Sequence, residues 1–244
     1  SEFDPEKRKT LKLFGGLAAA VGARMLGIST AHAAVSVECP IYMFHAVSQG
    51  GAVVDRVIRD NARLGRIPVS IKQLSDILLG EAEVPDKPLF ALTFDDGTKD
   101  QFDNALPVLN RYQMEVTFFV MGGTMDGTWV GDGRHQYMNL EQVQHLDSLG
   151  YEIGSHTVTH RDLVRDVLNL GKVGEVSNEI VQSRDKLEAA IDGMVTSFAY
   201  PNGSGINYPL IRGIVADTYQ AAVSVINARL QTPNNVYTLG RVRG

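Results

Sequence analysis

The sequence predicts a single α/β domain whose parallel strands close into a barrel. Short apolar runs alternate with helix-length amphipathic segments, which is typical of βαβ units and a parallel sheet. Polar residues follow several of these runs, at His45, Asp95-Asp96, His156 and Pro201-Asn202-Gly203. A barrel gathers all its strand ends at one mouth, whereas an open sheet gathers only those near its switch point. The number of polar strand ends therefore favours the barrel.

The composition is that of an ordinary globular chain of barrel size. The 244 residues are 44% hydrophobic and 21% charged, with a formal net charge of −5. This acidic balance argues against a nucleic-acid partner. Cys39 is the only cysteine, so the chain can form no internal disulfide.

Residues 1–33 are predicted to be a cloning scar followed by a signal peptide. Ser1-Glu2-Phe3 is the scar, and the basic stretch Lys7–Lys12, a weak twin-arginine-like pattern, precedes the apolar run Leu13–Val21. Ala31-His32-Ala33 then offers small residues for cleavage, which completes the order of a secretory signal. Arg24 argues against a membrane-spanning helix. The alternative is a basic amphipathic helix that stays on the protein.

These features predict export to the periplasm or cell surface of a bacterium, without a stable membrane span. The mature domain would then be residues 34–244.

The remaining elements follow in order from the periodicity of apolar residues. We predict strands at 41–44, 89–94, 116–120, 151–154, 196–200 and 221–225. We predict helices at 70–79, after Gly97 through about Leu109, at 140–149, from Val176 to Ile191 and at 210–216. Residues 121–137 are glycine-rich and are predicted to form a long loop, a kind of segment that is often functional.

The stretch Leu89–Gly97 is a buried strand followed by two adjacent carboxylates, Asp95 and Asp96. In parallel α/β folds such strand ends are where ligands bind. The alternative is an ordinary Asp-Asp-Gly turn.

His156 and His160 are four residues apart and can face the same way if their segment makes a helical turn. With one carboxylate they would form a three-ligand site that leaves a fourth position for water, a pattern typical of catalytic zinc. Other divalent transition metals suit the same ligands. The second aspartate would remain free to act as a base. The alternative is a pair of surface or capping histidines.

With these motifs the chain resembles the polysaccharide deacetylases, or NodB-homology carbohydrate esterases. The first motif is Thr93-Phe94-Asp95-Asp96-Gly97 and the second is Ser155–His160. Phe198–Gly203 matches the third motif in a Phe-Ala-Tyr-Pro variant, and Tyr219–Val223 matches the strand that follows it. The resemblance implies a distorted (β/α)7 barrel and hydrolysis of acetyl groups on a sugar polymer.

The resemblance also implies roles for individual residues. Asp95 would be the general base, and Asp96, His156 and His160 would hold a divalent metal, with Zn²⁺ as the first choice. The backbone N–H of Asn202 would stabilise the oxyanion together with the metal.

Five further residues are expected to contact the substrate. Tyr200 and Pro201 belong to the third motif, and Leu239 is expected beside the acetyl methyl group. Trp129 of the long loop, with Tyr137, is expected to stack on sugar rings, although a loop aromatic can equally cover the core.

Two departures from the family pattern lead to a hypothesis of exchanged roles. The third motif lacks its usual arginine, and the usual Leu-x-His is here Leu239-Gly240-Arg241. We expect Arg241 to orient Asp95 and His45 to supply the acid. The alternatives are a buried structural His45 and His135 as the acid.

The predicted substrate is an acetylated polysaccharide or oligosaccharide, with N-acetyl favoured over O-acetyl. Two other functions stay open: a sugar-binding protein of the same fold that has lost catalysis, and a metal-dependent amidohydrolase acting on a small molecule. Chitin fragments, poly-N-acetylglucosamine, peptidoglycan and acetylated xylan are all compatible polymers.

Overall fold

The computed structural model describes residues 33–47 and 49–244. The predicted scar and signal peptide therefore lie outside the described residues, except for Ala33. Among the residues that are described, no helix has the length and apolar character needed to cross a membrane.

Most strands of the described chain belong to one parallel sheet. The ten strands are β1 (Val37–Glu38), β2 (Ile41–Phe44), β3 (Ile67–Pro68), β4 (Leu89–Phe94), β5 (Thr117–Val120), β6 (Glu152–Ser155), β7 (Ser197–Ala199), β8 (Ala221–Val223), β9 (Leu230–Gln231) and β10 (Val242–Arg243). The order in the sheet is β10-β2-β4-β5-β6-β7-β8, with β3 beside β4, and β1 pairs with β9 in a separate antiparallel ribbon.

The chain before β10 closes this sheet on itself. Val223 of β8 forms a parallel bridge with Leu239, and the Leu239 N–H donates to Ala222 O at 2.9 Å. Since β10 pairs with β2 in parallel at the other edge, the sheet curls into a distorted (β/α)7 barrel. The predicted fold class is confirmed.

Helices of three kinds connect the strands. The α-helices are α1 (Ala52–Arg63), α2 (Ile71–Leu78), α3 (Leu106–Tyr112), α4 (Leu140–Ser148), α5 (Val173–Ser177), α6 (Ser183–Glu188) and α7 (Pro209–Thr218). The π-helical turns are Gln101–Ala105, Leu163–Val167 and Asn178–Gln182. The 3₁₀ turns are Gln49–Gly51, Gly122–Thr124, Leu168–Leu170, Pro201–Gly203 and Pro233–Asn235.

Helix α1 was not among the predicted elements. Its buried residues Val54, Val57, Ile58 and Asn61 follow a helical spacing, but one of the four is polar. Its N-cap, Gly51, has a left-handed conformation and provides no capping side chain. The usual sequence signal for the start of a helix is therefore missing.

Successive side chains of β4 face two separate cores, as strand geometry requires. Phe90, Leu92 and Phe94 join the core between the sheet and the helices. Leu89 and Ala91 join a second core inside the barrel. The alternation continues along the chain, so the side chains of Thr93 and Asp95 also point to the barrel interior.

Helix α2 closes the barrel at the N-terminal ends of its strands. Its first residue, Ile71, donates its N–H to the Thr117 hydroxyl at 3.0 Å, and the Lys72 N–H donates to Glu152 at 2.9 Å. Both acceptors lie at strand beginnings. The polar residues of the motifs lie at the opposite end of the barrel, where the strands finish.

Candidate active site

The two aspartates lie in a turn that follows β4 directly. The Asp95 N–H donates to Phe44 O at 2.8 Å and so extends the pairing of β4 with β2. Asp96 and Gly97 then both have positive φ, 74° and 66°. This left-handed turn is costly for a residue other than glycine, and it separates the directions of the two carboxylates.

His156 follows β6, with its N–H bonded to Val120 O at 3.0 Å. The segment to His160 is a turn in which Thr157 and His160 have positive φ, 66° and 57°, and not the helical turn that the spacing suggested. The two imidazole rings nevertheless lie close together, edge to face, with centroids 4.8 Å apart.

Asp96, His156 and His160 converge at the mouth of the barrel. One ligand atom from each lies within 4.8 Å of the others. The Nε2 atoms of both histidines are 3.3 Å from the same Asp96 oxygen, Oδ1. The structure thus brings together three side chains that are distant in the sequence.

The protonation of His156 makes this cluster suited to a cation. Its Nδ1 is 2.8 Å from Ala199 O, and because a carbonyl only accepts, Nδ1 carries a proton. With Nδ1 bonded to this carbonyl, Nε2 is the ring nitrogen that faces Asp96 and the one that a metal would bind, the arrangement of a metal-bound histidine. Asp96 Oδ1 is buried and accepts no hydrogen bond from the described residues. The three residues therefore fit a divalent metal.

The pKa values of the cluster agree with this fit. Burial would raise the pKa of Asp96, but His156 and His160 outweigh it and lower the pKa. Burial and the neighbouring His156 lower the pKa of His160 to about 4, so its ring is neutral near pH 7 and free to bind a metal. Burial lowers the pKa of His156, but the nearby aspartates raise it overall. The two aspartates thus favour positive charge beside His156, which a metal ion would supply.

Asp95 lies beside this cluster in an ion pair with Arg241. Arg241 Nη1 donates to Asp95 Oδ1 at 2.6 Å, and each side chain is only 1–2% exposed. Arg241 also bonds Ser224 O at 2.7 Å and the Thr93 hydroxyl at 3.2 Å. Burial raises the pKa of Asp95, but Arg241, His156 and His45 together more than offset this and the pKa is lowered.

His45 lies on the other side of Asp95. Its Nε2 is 3.9 Å from Asp95 Oδ2, and its side chain is 52% exposed. The alternative of a buried structural histidine is therefore wrong. His135 is exposed, and its closest acidic partner is Asp132, at 3.5 Å, within its own loop.

Gln101 connects His45 and Asp95, a role that the sequence did not indicate. Its buried Nε2 donates to His45 O at 2.9 Å and to Asp95 O. Nearby, Asp100 accepts from the Val47 N–H at 2.8 Å. A glutamine inside a helical pattern carries no signal of this kind, because the bonds depend on the register of the π-helical turn.

The third motif and Leu239 lie next to the site, mostly within the core. Tyr200 is fully buried, with its ring 5.1 Å from that of Phe198, and Pro201 and Leu239 are also buried. Asn202 is exposed and has a left-handed φ of 55°. It lines a cavity of about 310 Å³ together with Asp162 and Tyr208.

The long loop is attached beside the aspartate turn. Tyr137 forms an antiparallel bridge with Thr98, and the Met138 N–H donates to Gly97 O at 2.9 Å. Trp129 packs against Tyr137 with ring centroids 5.0 Å apart, and both rings are half-buried. An aromatic pair is thereby held near the mouth of the barrel.

Comparisons with known proteins agree with this fold and its motifs. The sequence profile of the polysaccharide deacetylases matches residues 82–221. YxkH of Bacillus subtilis (strain 168), assigned by its name to the polysaccharide deacetylases, is 26% identical over 217 residues, which are 84% of this chain and 71% of that protein.

Two solved structures share the fold. The deacetylase PplD of Streptococcus pyogenes, in complex with acetate, has a TM-score of 0.70 at 22% identity and covers 86% of this chain and 92% of its own. IcaB from Ammonifex degensii has a TM-score of 0.74 at 20% identity, with 85% and 92% covered. The profile match extends over more than half of the sequence, and the chain belongs to the polysaccharide deacetylase family.

Proposed function

We propose that the protein is a metal-dependent deacetylase that removes acetyl groups, N-acetyl in preference to O-acetyl, from a polysaccharide. The observation that carries the proposal is the convergence of Asp96, His156 and His160 within 4.8 Å, with the carboxylate of Asp95 beside them and outside the ligand set. A protein that only bound sugar would have no need for that additional buried carboxylate.

Asp96, His156 and His160 would hold the divalent metal, with Zn²⁺ the first choice for two nitrogens and one oxygen. Such an ion supplies a lowered pKa to a bound water and polarises a carbonyl. The ring of His160 is neutral near pH 7, as ligation requires, and the bond of His156 Nδ1 to Ala199 O leaves Nε2 as the nitrogen for the metal.

Asp95 is the base of the proposed reaction. Arg241 occupies Oδ1, so Oδ2 is the oxygen left to accept a proton from the attacking water. The lowered pKa of Asp95 keeps this carboxylate ionised near neutral pH. Arg241 thus takes the orienting role proposed from the sequence.

His45 is the acid. Its Nε2 lies on the Oδ2 side of Asp95, and about half of its side chain is exposed to solvent. The water oxygen bonds to the acetyl carbon, the C–N bond breaks, and the protonated ring of His45 gives its proton to the leaving nitrogen. Acetate and a free amine result. The Asn202 backbone N–H is proposed to stabilise the oxyanion. Tyr200 and Leu239 are fully buried, so no direct contact with the acetyl group is proposed for them.

Export to the periplasm or cell surface belongs to the same proposal, because residues 1–33 have the charged, apolar and small-residue order of a secretory signal. Secretion of the full-length chain, followed by N-terminal sequencing, tests the predicted cleavage before Ala34.

The test of function is release of acetate from N-acetylated chito-oligosaccharides. We expect activity that exhaustive chelation abolishes and Zn²⁺ restores. Asp95→Asn and His45→Ala should each keep the metal content and lose about 10²–10⁴-fold in kcat, the usual contribution of an acid or base. Activity that survives chelation, or a His45→Ala variant with unchanged kcat, would contradict the proposed mechanism.

A further inference from the structure

Glu179 is a buried carboxylate beside the histidine loop that none of the motifs includes. It is 6% exposed and lies in the π-helical turn Asn178–Gln182, between α5 and α6. Among the described residues it forms no ion pair with a basic side chain. A carboxylate without a counter-ion is costly to bury unless hydrogen bonds satisfy it. The hydrogen-bond partners of Glu179 therefore indicate its role.

All of the hydrogen bonds that Glu179 accepts from this loop come from residues between the two histidines. Its Oε2 accepts from the Thr159 N–H at 2.9 Å, and its Oε1 accepts from the Thr159 hydroxyl at 2.6 Å. Its backbone carbonyl accepts from the Val158 N–H at 3.1 Å. One helical residue therefore holds two consecutive residues of the loop.

The loop requires such support because its backbone is strained. Thr157 and His160 have φ of 66° and 57°, a region that is unfavourable for a residue with a side chain. Ser183, one turn after Glu179, donates its hydroxyl to Thr157 O at 2.9 Å. The helix supplies these bonds to the loop, and the N–H groups of Gly122 and Gly123 after β5 donate two more, to Thr157 O and Val158 O, both at 3.0 Å.

His160 depends on the loop more than His156 does. The ring of His156 is fixed by Ala199 O and is 2% exposed, whereas the ring of His160 is 30% exposed and has no comparable backbone partner among the described residues. The direction of the His160 ring is therefore set by its backbone, which continues directly from Thr159.

We propose that Glu179 is a positioning residue, which fixes His160 in the metal-binding orientation through Thr159. This inference rests on the proposed role of His160 as a metal ligand. It adds a carboxylate from the helix after β6 to the residues that determine metal affinity.

The test is titration of the metal-free protein with Co²⁺, followed by visible d–d absorption. Glu179→Ala should bind Co²⁺ about tenfold more weakly than the unchanged protein, as expected for an outer partner of a metal ligand, and with an altered spectrum. Glu179→Gln should bind nearly as well, because its amide can accept from the Thr159 N–H and donate to the Thr159 hydroxyl. This rescue would separate positioning from charge.

The matched control is Glu152→Ala. Glu152 begins β6 and accepts bonds from Thr117 and Ser197 at 2.8 and 2.5 Å, at the closed end of the barrel. Its loss should lower stability without changing the Co²⁺ affinity or spectrum. If Glu152→Ala weakens Co²⁺ binding as much as Glu179→Ala, the inference is overturned.

A second variant covers the case in which Glu179→Ala does not fold. Thr159→Val replaces the hydroxyl with a methyl group of similar size and should weaken Co²⁺ binding, whereas Thr159→Ser keeps the hydroxyl and should not. Normal Co²⁺ binding by both Glu179→Ala and Thr159→Val overturns this inference but leaves the proposed function standing. An unchanged protein that binds no Co²⁺ overturns the proposed function, and this inference with it.

Discussion

Arg241 and Asp95 form an ion pair almost completely removed from solvent. Two buried charges are tolerated because each compensates the other, and Arg241 gains further bonds from Ser224 O and the Thr93 hydroxyl. Removal of one partner leaves the other charge uncompensated in a medium of low polarity. The base of the proposed reaction is therefore also a point on which stability depends.

Arg241→Met should destabilise the metal-free protein by about 3–5 kcal/mol, the cost of an unpaired buried charge. Adding Asp95→Asn to this variant should recover part of the loss, since the remaining side chain is then neutral. Urea unfolding of the two single variants and the double variant measures the coupling. If Arg241→Met and the unchanged protein are equally stable, the ion pair contributes nothing to the free energy of unfolding.

Positive φ angles mark the site at the scale of single residues. Of the five non-glycine residues with positive φ in the described chain, four belong to the three motifs: Asp96, Thr157, His160 and Asn202. Strained backbone of this kind concentrates at functional sites. The sequence identified these residues by their type and spacing but carries no signal for their conformation, which depends on bonds from elements such as the helix of Glu179.

At the scale of elements, the strands were predictable because their apolar runs are short and end in polar residues. The strand at 89–94 was predicted with the bounds that the structure has. The π-helical turns were not predictable, since an extra residue per turn shifts the helical phase without any residue type that announces it. Gln101 and Glu179 both lie in such turns, and sequence reasoning therefore missed their contacts.

The loop between β5 and α4 holds an aromatic pair near the mouth of the barrel. Trp129→Ala should raise KM for long chito-oligosaccharides about five- to tenfold, the worth of one aromatic contact, and leave kcat nearly unchanged. Val130→Ala is the matched control, because Val130 is 89% exposed and should have no effect. If KM rises equally for a disaccharide and a pentasaccharide, Trp129 does not contact the extended polymer. If KM does not change at all, the ring only covers the core.

For the whole molecule, the barrel joins residues that the chain keeps far apart. Asp96 follows β4, the histidines follow β6, and β5 lies between these strands in the sheet. Arg241 reaches Asp95 from the segment that closes the barrel between β8 and β2. The motifs predicted which residues would meet, but only closure of the sheet explains how residues 45, 95 and 241 come into one site.

A metal held between the ends of β4 and β6 would tie these segments together, so it should stabilise the entire fold. Zn²⁺ at 100 times its Kd contributes about 2.7 kcal/mol, which for a chain of this size raises Tm by roughly 5–11 °C. Thermal unfolding with Zn²⁺ and with excess chelator measures this shift. His160→Ala should lose most of it, whereas His145→Ala, which removes an exposed histidine of α4, should keep it in full. A full shift in His160→Ala would mean that the ion binds elsewhere, since the remaining pair of ligands would then have to hold Zn²⁺ as tightly as all three.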